Sequence, residues 1–204
     1  MLKKNGYTGA NVRYYVVNHF SIWARDVGPI FVKDSQNRLN VVNFGFNNYG
    51  RGGDPYYINV EGQVDNLTAQ QLKLPVISSN LISEGGAIES NGRGTLMITE
   101  SVALNRNPGL TRTQIENEYK RVLGVRKVIW LKQGLAEDDR ITSGHINEIA
   151  RFANSHTILL AQVLPGDRYT NRTAQDSYLR RINAENVNLW GGGIHCITQH
   201  MPAD

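Results

Sequence analysis

Residues 84–131 read EGGAIESNGRGTLMITESVALNRNPGLTRTQIENEYKRVLGVRKVIWL, and this stretch decides the fold. Ala87-Ile88-Glu89 and Thr95 to Thr99 are β-prone runs flanking Asn91-Gly92, a hairpin turn signal. Thr111 with Gln114 three residues on forms a capping box, so a helix starts there. Ile115, Tyr119 and Val122 fall on one face of that helix, and Gly124 is its stop. Val128-Ile129-Trp130-Leu131 then reads as a buried strand with Trp130 in the core. The order is strand, strand, helix, strand, which is an α/β unit of ββαβ type.

The same order recurs on both sides. Upstream, Val12 to Val17 is a β-rich run. Ile30 to Val32 and Leu39 to Phe46 form a hairpin about Asp34 to Asn37, and Asn47 to Asp54 is a Gly/Asn-rich loop. A helix over Val64 to Leu74 is closed by Pro75, and Val76-Ile77 is a short strand. Downstream, Ile149 to Phe152 and Thr157 to Val163 are again hairpin-like, followed by a polar helix over Thr173 to Ile182. A fourth unit opens at Gly193. The chain therefore reads as repeats within one domain, 1–204.

Composition narrows the function classes. A net charge of +4 is mild, and its short clusters at Arg121 to Lys127 and Arg180-Arg181 read as solvated faces. No basic run is interleaved with aromatics, so no nucleic-acid groove is expected. No apolar stretch is long enough to span a membrane, and residues 1–7 lack the apolar core of a signal peptide. One cysteine excludes an internal disulfide and fits a cytoplasmic setting.

Each unit opens with a chemistry-bearing residue beside glycine, ahead of a hairpin. These residues are Asp26, Glu84, His145 and Cys196, spaced by 58, 61 and 51 residues. If the units surround an axis, the four share one pocket. Cys196 by itself reads as a packed thiol. Beside a histidine it becomes a nucleophile, and the histidine can carry protons. The glycines before it, Gly192 and Gly193 among them, let a small substrate come close. Two carboxylates in one pocket repel unless a cation lies between them, and a guanidinium suits them best. The set implies attack on a guanidinium carbon, which ejects ammonia and leaves a ureido product. His19 and His156 read as surface residues, and so does His200, for which proximity to Cys196 is the one argument for a place in the site.

Seven segments, in order along the chain, carry a family resemblance. They are residues 23–29 (WARDVGP), 84–89 (EGGAIE), 94–96 (GTL), 104–108 (LNRNP), 127–131 (KVIWL), 144–145 (GH) and 191–199 (GGGIHCITQ). The chain resembles the agmatine deiminase and bacterial, Porphyromonas-type peptidylarginine deiminase family of the pentein superfamily. The resemblance implies a pseudosymmetric α/β propeller with the active site on its axis. It implies Cys196 as the nucleophile of a covalent amidino-thioether. It implies His145 as acid for departing ammonia and then base for water. Asp26 would hold the guanidinium, with Glu84 in the same polar shell. Trp23 and Arg25 would lie along the substrate, and no metal or cofactor is implied. The partner implied is a small cationic guanidine: agmatine, giving N-carbamoylputrescine, or an arginine-type group.

Three departures qualify this. The family's guanidinium-binding aspartate, two residues after the histidine, is Asn147 here, and losing one partner of such a pair costs about 2–5 kcal/mol. Glu148, read as its neighbour on a strand, would point the other way. Tyr49 stands where agmatine enzymes usually have tryptophan. The chain also enters the pattern partway through a first unit and has room for about one unit fewer than a five-unit propeller. That suits a shortened form, or a chain whose open edges pair with another copy as a homo-oligomer. Three readings stand: a guanidine deiminase, a non-catalytic relative that binds a cation or a sister chain, and a generic cysteine amidase, which leaves the carboxylates unexplained.

Overall fold

A computed structural model of the chain describes residues 12–135, 138, 140–161, 195 and 198–201. A short helix α1 (Ala24–Val27) leads into β1 (Ile30–Lys33) and β2 (Leu39–Gly45). Helices α2 (Pro55–Gly62) and α3 (Val64–Leu72) follow, then β3 (Val76–Ile82). The second unit has β4 (Ile88–Ser90), β5 (Thr95–Thr99), α4 (Glu100–Arg106), α5 (Arg112–Leu123) and β6 (Lys127–Leu131). A third hairpin pairs β7 (Ala150–Phe152) with β8 (Ile158–Leu160).

The first two units share one topology. In each, the hairpin strands are antiparallel and the strand that returns after the helices pairs parallel to the second: β1-β2-β3, then β4-β5-β6. Both sheets are thus mixed, as a helical crossover between parallel strands requires. Helix α5 is built as its sequence indicates. Thr111 accepts from the Gln114 N–H, the Gln114 side chain returns the bond, and Gly124 closes the helix at φ 66°. Its Ile115, Tyr119 and Val122 pack with Val42, Phe44 and Leu81 of the first unit and with Leu96 and Ile98 of β5. The opposite face of β5 presents Met97 to Ile146, Ile149 and Ala150 of the third unit. One strand, buried on both faces, therefore holds successive units against each other.

Several details differ from the sequence reading. Residues 12–18 form no strand despite their β-prone composition, and Tyr14 and Val16 are exposed. Helix α2 is additional, signalled by Asp54, whose side chain accepts from the Tyr56 N–H, and by Pro55 in the first turn. Helix α4 is additional too; it starts directly from β5 with no side-chain cap. Strand β3 runs to Ile82, well past Ile77. Strand β6 is an edge strand, half-buried rather than buried, and Trp130 packs at the rim of the core with its indole N–H donated to Glu116. The helix expected over Thr173 to Ile182 lies outside the described residues. No helix among the described residues is long and apolar enough to cross a membrane.

Candidate active site

The residues that open the three units meet. Asp26 closes most of α1 ahead of β1; Glu84 precedes a single 3-10 turn, Gly85–Ala87, ahead of β4; His145 precedes another, Ile146–Glu148, ahead of β7. His145 Nε2 lies 3.2 Å from Glu84 Oε2, and its Nδ1 lies 3.7 Å from Asp26 Oδ1. All three side chains are buried. The approach requires glycine at 86: a Cβ there would sit 2.5 Å from both Asp26 Oδ1 and His145 Nδ1. The Gly86 N–H instead donates to Asp26 Oδ1 at 3.0 Å.

The group between the two carboxylates is therefore the protein's own imidazole, whose charged form they favour. Glu84 has a second partner. Arg106, at the end of α4, donates from Nε to Glu84 Oε1 at 2.7 Å, with both side chains fully buried. Both oxygens of Glu84 are thus taken. Asp26 meets a neutral partner instead, the Tyr49 hydroxyl, which donates to Oδ2 at 3.2 Å.

These surroundings separate the charges. Burial pushes Asp26 up to about 6, with the Glu84 charge adding to it; His145, the Gly86 N–H and the Tyr49 hydroxyl oppose this. Burial also works against ionised Glu84, but His145 and Arg106 outweigh it and hold the carboxyl below its ordinary value. Burial works against the His145 imidazolium, yet Asp26, Glu84 and Asp138 together raise it above its ordinary value. The carboxylates thus favour the charged form of the His145 ring, and an imidazole in such surroundings is able to carry a proton.

The loop before His145 is fixed by side chains. Asp138 Oδ2 accepts from the His145 N–H at 2.9 Å and from the Thr142 hydroxyl. Thr142 Oγ1 accepts from the same N–H at 3.0 Å, and the Thr99 hydroxyl donates to the Gly144 carbonyl at 2.8 Å.

The remaining sequence candidates fall as follows. Arg25 donates to the His195 carbonyl at 3.4 Å, to the Gln199 side chain, and from Nη2 to His200 Nδ1 at 2.7 Å. It lines a cavity of about 380 Å³ with Glu89, Arg151, His195 and His200. Trp23 is half-buried at the start of α1. Asn147 Nδ2 donates to His195 Nδ1 at 3.1 Å. Burial, helped by Arg25, pushes His195 down to about 3, which leaves its ring able to accept. Glu148 does not alternate with Asn147 on a strand; both lie in the 3-10 turn, where the alternating-face argument fails. His19 and His156 are exposed. Cys196, Gly192 and Gly193 lie outside the described residues. Among the described residues no cluster of His, Cys, Asp or Glu could hold a metal ion.

Sequence reading missed four participants. Arg106 lies within the quoted LNRNP segment; its spacing from the buried Val102 and Ala103 puts it on the inner face of a helix, which was a usable signal. Tyr49 stands out in the sequence only as a replacement for tryptophan. Asp138 and Thr142 lie in a polar run that resembles any surface loop.

Comparisons with known proteins identify the family. The family model of Porphyromonas-type peptidyl-arginine deiminase matches residues 2–180. An agmatine deiminase of Medicago truncatula is 36% identical over 165 residues, covering 74% of this chain and 43% of that protein. The solved agmatine deiminase of Enterococcus faecalis superposes with a TM-score of 0.65 at 27% identity, covering 71% of this chain and 40% of the other. A cysteine-to-serine variant of C. jejuni agmatine deiminase with substrate bound gives 0.65 at 30% identity, covering 76% and 46%. The chain spans less than half the length of these relatives. Matched over most of its length and carrying the α/β pentein architecture of its structural neighbours, the chain belongs to the Porphyromonas-type peptidyl-arginine deiminase family.

Proposed function

We propose that this chain is a guanidine deiminase acting on agmatine, and that its 204 residues form one deiminase-like domain with its units set around an axis. The observation that carries the reading is the meeting of Asp26, Glu84 and His145, residues about sixty apart in sequence, in one buried cluster. The substrate-bound relative from C. jejuni supports a small guanidine as ligand.

In the proposed reaction the Cys196 thiolate attacks the guanidinium carbon. One C–N bond breaks, and His145 gives its proton to the departing nitrogen, which leaves as ammonia. The amidino-thioether then takes water. His145, now neutral, accepts one water proton, the C–S bond breaks as the carbonyl forms, the second water proton passes to the released ammonia, and N-carbamoylputrescine leaves with the thiolate restored. Asp26 holds the guanidinium; Glu84 keeps His145 charged before the first transfer. Trp23, Arg25, Asn147 and the backbone at Gly192 and Gly193 line the substrate. Because Asn147 is neutral, Asp26 carries more of the electrostatic recognition than it would beside a second carboxylate.

A second reading, binding of a cation without turnover, is favoured by Asn147 and by the full occupation of Glu84. Incubation with agmatine, and separately with an arginine peptide, separates the two. Ammonia and ureido product above the level of a Cys196→Ala control support the enzyme. Release no greater than the control's sinks it. An Asn147→Asp chain that alone turns over would place the defect at that amide.

A further inference from the structure

The segment Asn105-Arg106-Asn107 has no part in the proposed reaction, yet its side chains tie three units together. Asn107 Nδ2 donates to the carbonyls of Ile82 and Ala103, both at 3.0 Å, and its Oδ1 accepts from the Ile82 N–H at 2.9 Å. The end of β3 is thereby fixed two residues ahead of Glu84. Arg106 spreads its fork further. Nε reaches Glu84 at 2.7 Å and Nη2 reaches the Thr142 carbonyl at 2.6 Å. Nη1 reaches Asn105 Oδ1 at 2.6 Å and the Ser143 hydroxyl at 3.3 Å. Thr142 and Ser143 belong to the loop that presents His145. One guanidinium thus bonds the carboxylate that faces His145 and the backbone that carries it, at 1% exposure.

We propose that Arg106 is a positioning residue: it fixes both the place and the charge of Glu84, and through Glu84 it sets His145. Its kinetic consequence rests on the deiminase reading; its effect on His145 does not. The guanidinium suits this task because its planar fork serves two directions at once, which a lysine ammonium on one flexible stem does not. Asp26 of α1, Glu84 and the Asp138 carboxylate of its own loop face His145, and the Tyr49 ring lies 6.0 Å away. Arg106 stands behind Glu84, and Glu89 of β4 is paired with Arg151 of β7 at 3.0 Å. Arg106 and His145 itself are the cations of this cluster. Removing Arg106 raises the proton affinity of each remaining member, so the coupled Glu84–His145 pair keeps its proton to higher pH.

The test is an NMR titration of the His145 ring in the full chain, with exposed His156 as internal reference. Arg106→Gln is expected to move the upper step of the pair up by about 1–2 pH units. Arg106→Lys is expected to move it up by a smaller amount, because the charge remains but the fork is lost. Where the chain also turns over agmatine, both variants should lose kcat more than KM. A folded Arg106→Gln chain with an unmoved His145 titration overturns the proposal. Should Arg106→Gln not fold, a folded Arg106→Lys chain titrating as wild type does so instead. A wild-type chain without turnover sinks the deiminase reading and leaves this titration standing.

Discussion

The first two units have the same topology and place a carboxylate four residues ahead of their first strand, yet they treat it in opposite ways. After β2 the first unit runs into a loop and returns a phenol, Tyr49, to Asp26. After β5 the second unit runs into α4 and returns a guanidinium, Arg106, to Glu84. The repeat supplies two equivalent acids; the connection after the hairpin gives one a neutral partner and the other a cation. Asp26 is left near 6, whereas Glu84 is held below its ordinary value.

Neutralising the two acids should therefore change stability in opposite directions. The larger effect is expected at Glu84. Glu84→Gln leaves the Arg106 charge buried without its carboxylate, and breaking a fully buried pair this way costs about 3–5 kcal/mol. Urea unfolding at pH 7 measures it. A loss of about 1 kcal/mol or less would mean that Thr142 and Asn105 alone satisfy Arg106.

Asp26→Asn is expected to stabilise. The folded value of Asp26 lies above its unfolded one, so its folded form binds a proton more tightly. Its favourable contribution is complete below the unfolded value near 3.8 and is lost as pH rises through about 6. Above that, the wild-type chain bears the cost of a buried charge that asparagine avoids. Asn also keeps an acceptor for the Gly86 N–H. The gain should be about 2–3 kcal/mol at pH 8, since the raised value is already net of the attraction to His145, and should shrink toward pH 4. Paired denaturation curves at the two pH values check the sign. A gain that is the same at both would assign it to packing.

How much of this was legible follows the range of the interaction. Helix α5 is written locally, in Thr111, Gln114 and Gly124, and it forms where its sequence indicates. The meeting of Asp26, Glu84 and His145 was legible from spacing, because a repeat brings equivalent positions together. The partners that complete the hydrogen bonding of the two acids were not. Arg106 and Tyr49 enter from connections that differ between units, so no periodicity marks them, and the polar run holding Asp138 and Thr142 has no local signature. Residues 12–18 fail in the opposite way. Their composition favours a strand, but β propensity reflects a pleated surface to pack against, and this segment adds to none of the three sheets among the described residues.

The helices of the two units also end differently, and this gives the smallest expected effect. Helix α5 stops at Gly124 with φ 66°, whereas α3 stops at Lys73 with φ 55°, a left-handed conformation that a side chain resists. The Lys73 N–H still reaches the Gln70 carbonyl at 3.1 Å, and Leu74 reaches Ala69 at 2.9 Å, so the capping bonds hold the strain in place. Lys73→Gly removes the Cβ penalty of about 1 kcal/mol but adds backbone freedom to the unfolded chain, worth roughly 0.4–1 kcal/mol the other way. Lys73 is exposed, so little packing is lost. The net gain should be about 0.5 kcal/mol, with the Gly124→Ala change in the second unit costing about 1 kcal/mol. Thermal unfolding of the two variants side by side is the check. A loss at both sites would show that Lys73 is held there by its side chain rather than in spite of it.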